Sequence, residues 1–63
     1  MTKEKLSAYI KQKRKQNSIS LQDMAKQIGV TPEALCRMES GKYWINSKNL
    51  FAILKVLKIK ILD

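Results

Sequence analysis

Few side chains in this 63-residue chain could take part in catalysis or bind a metal. It contains no histidine, one cysteine (Cys36) and five Asp and Glu residues. Cysteine and histidine zinc sites, intrachain disulfides and nucleophilic centres with a histidine base are therefore excluded. No glycine-rich phosphate loop is present. We expect no enzyme activity, no metal and no cofactor, and Cys36 is either a small tolerated residue or a redox-sensitive thiol.

Cationic side chains are abundant instead. Thirteen Lys and Arg residues against five acidic residues give a formal net charge of +8. This charge is typical of nucleic-acid-binding domains, but it also fits a cationic membrane-surface peptide or the partner of an acidic protein. Excess lysine also keeps small proteins soluble. Composition alone leaves these classes open.

Hydropathy argues against a membrane protein. The apolar runs are far shorter than the roughly 20 residues that a membrane-spanning helix needs. The N-terminal residues lack the apolar segment of a secretory signal. A free thiol without a targeting segment favours a reducing, cytoplasmic compartment. We therefore expect no membrane partner.

Apolar side chains recur with helical spacing along most of the chain, which predicts four helices. The first runs from about Thr2, a candidate N-cap, to Gln16. The second opens at Ser20, in a capping box completed by Asp23, and ends at Gly29. The inward residues of these two helices are Leu6, Tyr9 and Ile10, then Leu21, Met24, Ala25 and Ile28.

The third helix has the clearest start, because Thr31 is a good N-cap and Pro32 suits the first helical position. It ends at Ser40 and Gly41. Asn46 caps a fourth helix from about Ser47 to Leu57. The inward residues are Ala34, Leu35 and Met38 in the third helix, and Leu50, Phe51, Ile53, Leu54 and Leu57 in the fourth.

Two shorter segments complete the chain. In the loop before the fourth helix, Trp44 either covers the small core, which we expect, or is an exposed aromatic side chain that contacts a nucleic-acid backbone. Residues 58–62, KIKIL, alternate polar and apolar side chains and include β-branched residues, which predicts a strand. This tail either pairs with another molecule or packs Ile59 and Ile61 on the core. The predicted fold is an all-α single domain, with a helical bundle over residues 1–57 and a strand-like tail over 58–63.

Three residues, 29–31, separate the second and third helices, which is the spacing of a helix-turn-helix. Ala25 is small where the helices approach, and Gly29 forms the turn. Residues 20–41, SLQDMAKQIGVTPEALCRMESG, resemble the lambda repressor and Cro family, also called the XRE family, and the resemblance extends over residues 6–57. It implies a four- to five-helix lambda-repressor-like bundle that binds double-stranded DNA and regulates transcription.

The resemblance also implies roles for particular residues. Arg14 and Glu39 match an ion pair that ties the first helix to the third. The third helix would lie in the major groove, where Arg37 either reads guanine or holds a phosphate. The DNA-binding positions implied in this way are Ser20, Gln22, Thr31, Pro32, Glu33, Arg37, Lys42 and Tyr43.

Several positions depart from the family pattern. Leu21 stands where the family has a phosphate-contacting glutamine, so Gln22 either replaces that contact or the contact is lost. Pro32 cannot donate to a base, and Glu33 either accepts from a cytosine amino group or only favours the helix dipole. Ile45 replaces a loop proline. These departures leave open a protein-interaction module with weak DNA binding.

A domain of this size contacts few base pairs. We therefore expect a homodimer on a palindromic operator, with half-sites about 34 Å apart. It would act as a cytoplasmic repressor of bacterial or phage origin. Leu57, Ile59 and Ile61 are candidate interface residues. The ending LFAILKVLKIKIL is also similar to that of HipB-type antitoxins, in which a terminal strand pairs between subunits. That similarity adds an alternative, an antitoxin with a toxin partner.

Overall fold

The structure, a computed structural model, describes residues 2–58. Over this range the chain forms four helices and no strand: α1 (Lys3–Gln16), α2 (Leu21–Ile28), α3 (Pro32–Glu39) and α4 (Ser47–Val56). The all-α prediction is confirmed. The bundle has four helices within residues 2–58, the lower of the two numbers that the resemblance implies. The predicted pairing of Ile59 and Ile61 lies outside the described residues. Within residues 2–58, no helix has the length and apolar character required to cross a bilayer.

Each helix begins at a side-chain cap. The cap oxygens of Thr2, Ser20, Thr31 and Asn46 accept a hydrogen bond from the backbone N–H three residues later, at 2.8–3.1 Å. These caps satisfy donors that the first helical turn leaves unpaired. The capping box at α2 is only half formed, because the Asp23 side chain makes no hydrogen bond within the described residues. Aspartate is one methylene shorter than the glutamate usual at this position.

A second signal repeats at the start of α2, α3 and α4. An apolar residue precedes each cap, and another occupies the fourth helical position, which is the arrangement of a hydrophobic staple. The three staples are Ile19 with Met24, Val30 with Leu35, and Ile45 with Leu50, and all six residues belong to the core or pack against it. Ile45 is 8% exposed. A buried side chain therefore positions this loop where the family pattern has a proline.

The core lies where α2 packs against both α3 and α4, and α1 closes it by packing against α3. Its largest fully buried apolar side chains are Ile10, Met24, Leu35 and Ile53. Ser7 is also buried, and its hydroxyl has no hydrogen-bond partner among the described residues. The buried face of α4 runs through Ile53 and continues to the C-cap Leu57, with Leu50 packed against it.

Three side chains predicted to face inward, Phe51, Trp44 and Tyr9, are exposed, and Leu54 is half-buried. Phe51 is 58% exposed, because it lies two residues, or about 200° around the helix, from the buried Ile53. Trp44 is 63% exposed and does not cover the core, because the next residue, Ile45, takes the inward position. Tyr9 lies at the edge of the α1 inner face, 38% exposed. Its ring centroid is 5.7 Å from Lys13 Nζ.

Among residues 2–58, four adopt the left-handed backbone region. Gly29 (φ +78°) and Gly41 (φ +81°) do so where glycine is favoured, and the predicted helix end at Gly29 is confirmed. Ser18 and Lys58 have φ +57° without being glycine. Lys58 therefore lies in a turn after α4. The prediction that the strand begins at residue 58 is wrong at that residue.

Candidate nucleic-acid interface

The turn between α2 and α3 is held by the backbone of α2. The Val30 N–H donates to the Ala25 carbonyl at 2.9 Å, and the Gly29 N–H donates to Lys26 at 3.3 Å. Ala25 is fully buried, which fits the small side chain that the close helix approach requires. The short turn therefore fixes the direction in which α3 leaves α2.

The outer face of α3 is exposed. Leu35 is the one fully buried residue of this helix, whereas Glu33, Cys36 and Arg37 are exposed. Within residues 2–58, their side chains make no hydrogen bond and no salt bridge. Glu33 and Arg37 lie four residues apart, so they share one face of the helix. This face carries a carboxylate and a guanidinium that are both available to a ligand.

The hydroxyl groups that cap α2 and α3 each keep their own hydrogen available for a further hydrogen bond. Ser20 Oγ and Thr31 Oγ1 accept from the backbone at 3.0 and 3.1 Å, and each hydroxyl still has its own hydrogen to donate. Both residues are exposed. The N–H groups of Leu21 and Gln22 lie in the first turn of α2, where no intrahelical partner exists. This helix start can bind an anion such as a phosphate, although Asp23 adds a negative charge to the same turn.

The far end of α3 is anchored by Arg14. Its Nε donates to Glu39 Oε2 at 2.7 Å, and Nη2 donates to Oε1 at 3.1 Å. Its Nη1 donates to the Ile19 carbonyl at 2.9 Å. The Arg14 and Glu39 side chains are 10% and 5% exposed. The ion pair implied by the sequence is thus present, and it joins α1, the α1–α2 loop and the end of α3.

The loop after α3 is ordered by Ser40, which the sequence identified as the end of the helix but not as a hydrogen-bonding residue of the loop. Its hydroxyl donates to the Arg37 carbonyl at 2.6 Å and accepts from the Lys42 N–H at 3.3 Å. A serine directly after a helix is the signal that could have found it, because short hydroxyl side chains bond to nearby backbone. Lys42 and Tyr43 are exposed, Tyr43 at 62%.

The predicted site residues divide into three groups. The DNA-binding set lies on α2, α3, their N-caps and the loop after α3. Pro32 is half-buried, and the other members are exposed: Ser20, Gln22, Thr31, Glu33, Arg37, Lys42 and Tyr43. Leu57, a candidate dimer residue, is 5% exposed and belongs to the core, so it has little surface for a second subunit. Ile59 and Ile61 lie outside the described residues.

Comparison with known proteins adds one finding. A family model described as a helix-turn-helix matches residues 10–63, which include α2, α3, α4 and the second half of α1. The comparison with curated proteins finds no similar sequence.

Proposed function

Since this chain belongs to the lambda repressor and Cro (XRE) family of helix-turn-helix transcription regulators, we propose that it recognises a specific palindromic operator as a homodimer. In this proposal it represses transcription in the cytoplasm of a bacterium or phage-infected cell. The family is one of DNA-binding regulators and not of enzymes. The observation that carries the proposal is the outer face of α3, where Glu33 and Arg37 are exposed and have no partner within residues 2–58.

In the proposed complex α3 lies in the major groove, with its first turns toward the base edges. Arg37 is the strongest candidate for reading a base, because a guanidinium can donate twice to guanine O6 and N7. Glu33 would accept from a cytosine amino group. Pro32 has no donor, so it contributes shape alone.

The remaining positions would contact the DNA backbone. The free hydroxyl hydrogens of Ser20 and Thr31 can donate to phosphate oxygens, and the side-chain amide of Gln22 can do the same. Lys42 and Tyr43, in the loop after α3, would contact phosphate and sugar. These contacts supply affinity and register, whereas base reading is left to the two charged residues of α3.

We propose that the dimer forms through the tail. Its alternating residues would place Ile59 and Ile61 on one side, where the same segment of a second chain could cover them. Because Leu57 is buried in its own chain, the proposed interface rests on the two isoleucines.

Selection from random duplexes tests this function. We expect the protein to enrich a palindromic sequence, with an affinity that falls steeply with salt, since each neutralised phosphate adds about 0.9 to the slope of log affinity against log salt concentration. Weak binding, without an enriched sequence and with a shallow salt slope, would instead indicate a protein-interaction module.

A further inference from the structure

Exposed apolar side chains are concentrated in one part of the chain. Four large apolar side chains are exposed within residues 2–58, and three of them, Tyr43, Trp44 and Phe51, fall in or just before the first half of α4. Tyr43 belongs to the proposed DNA contacts. Phe51 has no role in the core or in the proposed DNA interface, although burying a phenyl ring is strongly favourable.

Phe51 lies at the centre of a face that we name the α4 outer face, formed by Lys48, Phe51, Leu54 and Lys55. The other three residues lie three or four positions from Phe51, so all four side chains share one side of the helix. Lys48 and Lys55 are exposed, and Leu54 is half-buried. The face thus has an apolar centre with a cation on either side along the helix.

The charge of this region has one sign. Residues 40–58 contain four lysines and no Asp or Glu. Lys48 and Lys55 are seven residues apart, which is about 10.5 Å along the helix axis. A partner helix with two carboxylates at the same spacing could pair with Lys48 and Lys55. An apolar side chain between those carboxylates could cover Phe51.

We infer that the α4 outer face docks an acidic amphipathic segment of another protein. In this arrangement, an apolar side chain of the partner covers Phe51, while partner carboxylates pair with Lys48 and Lys55. The inference does not depend on DNA binding, because none of these residues belongs to the proposed DNA interface.

Other occupants fit the face less well. A second copy of the chain would bring lysines against lysines across a two-fold axis. A membrane would gain little, because binding to a bilayer surface scales with apolar area and most of the apolar side of α4 packs on its own core. DNA would pair with the lysines but would leave Phe51 uncovered.

The test uses two fluorescently labelled synthetic peptides. Both are helical with leucine at the centre, and they carry either glutamate or glutamine at two positions seven residues apart. We expect the glutamate peptide to bind the wild-type chain more tightly. We also expect Phe51→Ser to weaken that binding about tenfold, as for a central contact residue. Phe51→Gln, which keeps a good helix former, provides a second variant if Phe51→Ser alters the fold.

Two charge-reversal variants separate docking from general attraction. Lys48→Glu with Lys55→Glu and Lys11→Glu with Lys15→Glu each change two lysines to glutamate, so both lower the net charge from +8 to +4. Docking on α4 predicts a loss of about tenfold or more for the first pair and less than about threefold for the second. Equal losses would overturn the inference, since they would indicate non-specific attraction.

Three further results would overturn it. The first is equal binding of the glutamate and glutamine peptides. The second is a change in oligomeric state on Phe51→Ser, measured by sedimentation, which would make a second copy the occupant. The third is loss of binding to anionic phosphatidylglycerol vesicles on the same substitution. Operator binding by Phe51→Ser should remain unchanged, so a failed operator selection and a failed peptide test have separate readouts.

Discussion

At the scale of single residues, Arg14 is the side chain with the most hydrogen bonds within residues 2–58. Its three side-chain hydrogen bonds join two helices and a loop in a largely buried position. Removing either partner of such a pair leaves the other charge buried and uncompensated. Arg14 therefore supports the far end of α3, while the α2–α3 turn and the core hold its start.

Arg14→Ala should destabilise the fold strongly. The expected loss is about 3–5 kcal/mol, as for breaking other buried ion pairs. A chain below about 70–80 residues rarely has more stability than that, so the variant should be mostly unfolded at room temperature. Circular dichroism during urea unfolding measures the loss.

Arg37→Ala is the matched control, because Arg37 is exposed and its side chain makes no bond within residues 2–58. Its stability should change by no more than about 0.5 kcal/mol, as for ordinary surface positions. Similar losses for the two arginine variants would show that the Arg14–Glu39 pair is not a major support of the fold.

The same Arg37→Ala variant tests base reading. We expect it to lose about 1–3 kcal/mol of binding to the selected operator and to relax specificity at one base position. Lys42→Ala should instead weaken all sequences about equally and lower the salt slope by about 1. Binding titrations on the operator and on its single-base variants distinguish these outcomes. A silent Arg37→Ala substitution would contradict the assignment of α3 as the recognition helix.

Residue-level prediction from sequence succeeded where a position has a local rule. The caps, the left-handed Gly29 and the Arg14–Glu39 pair follow from short motifs. It was wrong for Phe51, Trp44 and Tyr9, because their exposure depends on which residues of an apolar segment the rest of the core covers. Helical spacing alone predicted an apolar face on α4 that is wider than the surface the core covers.

At the scale of elements, the turns decide how the helices meet. Gly41 lies two residues after the end of α3 and is buried near the start of α1. A Cβ added there would lie 3.3 Å from the Glu4 Cα, whereas a Cβ added at Gly29 would meet nothing within 4 Å. Both glycines have positive φ, so alanine at either position strains the backbone. Only alanine at Gly41 is also crowded by a neighbouring atom, so comparing the two substitutions measures the cost of crowding.

Gly41→Ala should therefore cost more stability than Gly29→Ala. We expect about 1 kcal/mol at Gly29, from the left-handed backbone alone. Gly41 should lose about 2–3 kcal/mol, because crowding against the backbone of α1 adds to that strain. Thermal unfolding of both variants provides the comparison. Equal losses would mean that α1 moves aside without cost.

Ser18→Gly should stabilise the α1–α2 turn. Ser18 has φ +57°, a conformation that costs a residue with a Cβ about 1–2 kcal/mol. Glycine loses part of this gain through greater freedom in the unfolded chain, so the net gain should be about 0.5 kcal/mol. Asn17→Gly is the control, because φ −89° at Asn17 is open to any residue and its side chain bonds to the Lys13 carbonyl. That substitution should reduce stability in the same unfolding assay.

The helix order and boundaries were largely predictable, because every helix starts with a cap and α2, α3 and α4 add a staple. The strand prediction failed at Lys58, where a left-handed turn follows α4. Alternating residue types carry no information about the backbone angle at the residue that ends a helix. That angle is set by how the last turn closes, here with the Lys58 N–H donating to the Lys55 carbonyl at 3.2 Å.

At the scale of the whole molecule, the net charge of +8 is not concentrated on the proposed reading surface. On the outer face of α3, Glu33 offsets Arg37. The excess lies in α1, whose fourteen residues contain Lys3, Lys5, Lys11, Lys13, Arg14 and Lys15, and in separate lysines elsewhere. Long-range attraction to DNA would therefore be strong and salt-sensitive, while discrimination between sequences would rest on few contacts.

The proposed dimer is tested by paired substitutions in the tail. Ile59→Ser with Ile61→Ser should abolish dimers and reduce affinity for the palindrome to that of a half-site. Lys60→Ser, on the opposite side of an alternating segment, should leave the dimer intact. Sedimentation gives the oligomeric state, and titration of full and half operators gives the affinity. Dimers that persist without the two isoleucines would place the interface elsewhere.

The exposure of Trp44 decides what optical methods can observe in this protein. Trp44 is the single tryptophan of the chain, and its indole is already largely in water in the native fold. Since indole emission responds to the polarity around the ring, unfolding should shift its wavelength little, and tryptophan emission would be a poor probe of folding. The same ring lies one residue from the proposed DNA contact Tyr43 and two residues before the cap of α4. Its quenching or blue shift should therefore report ligands at either surface, without any attached dye.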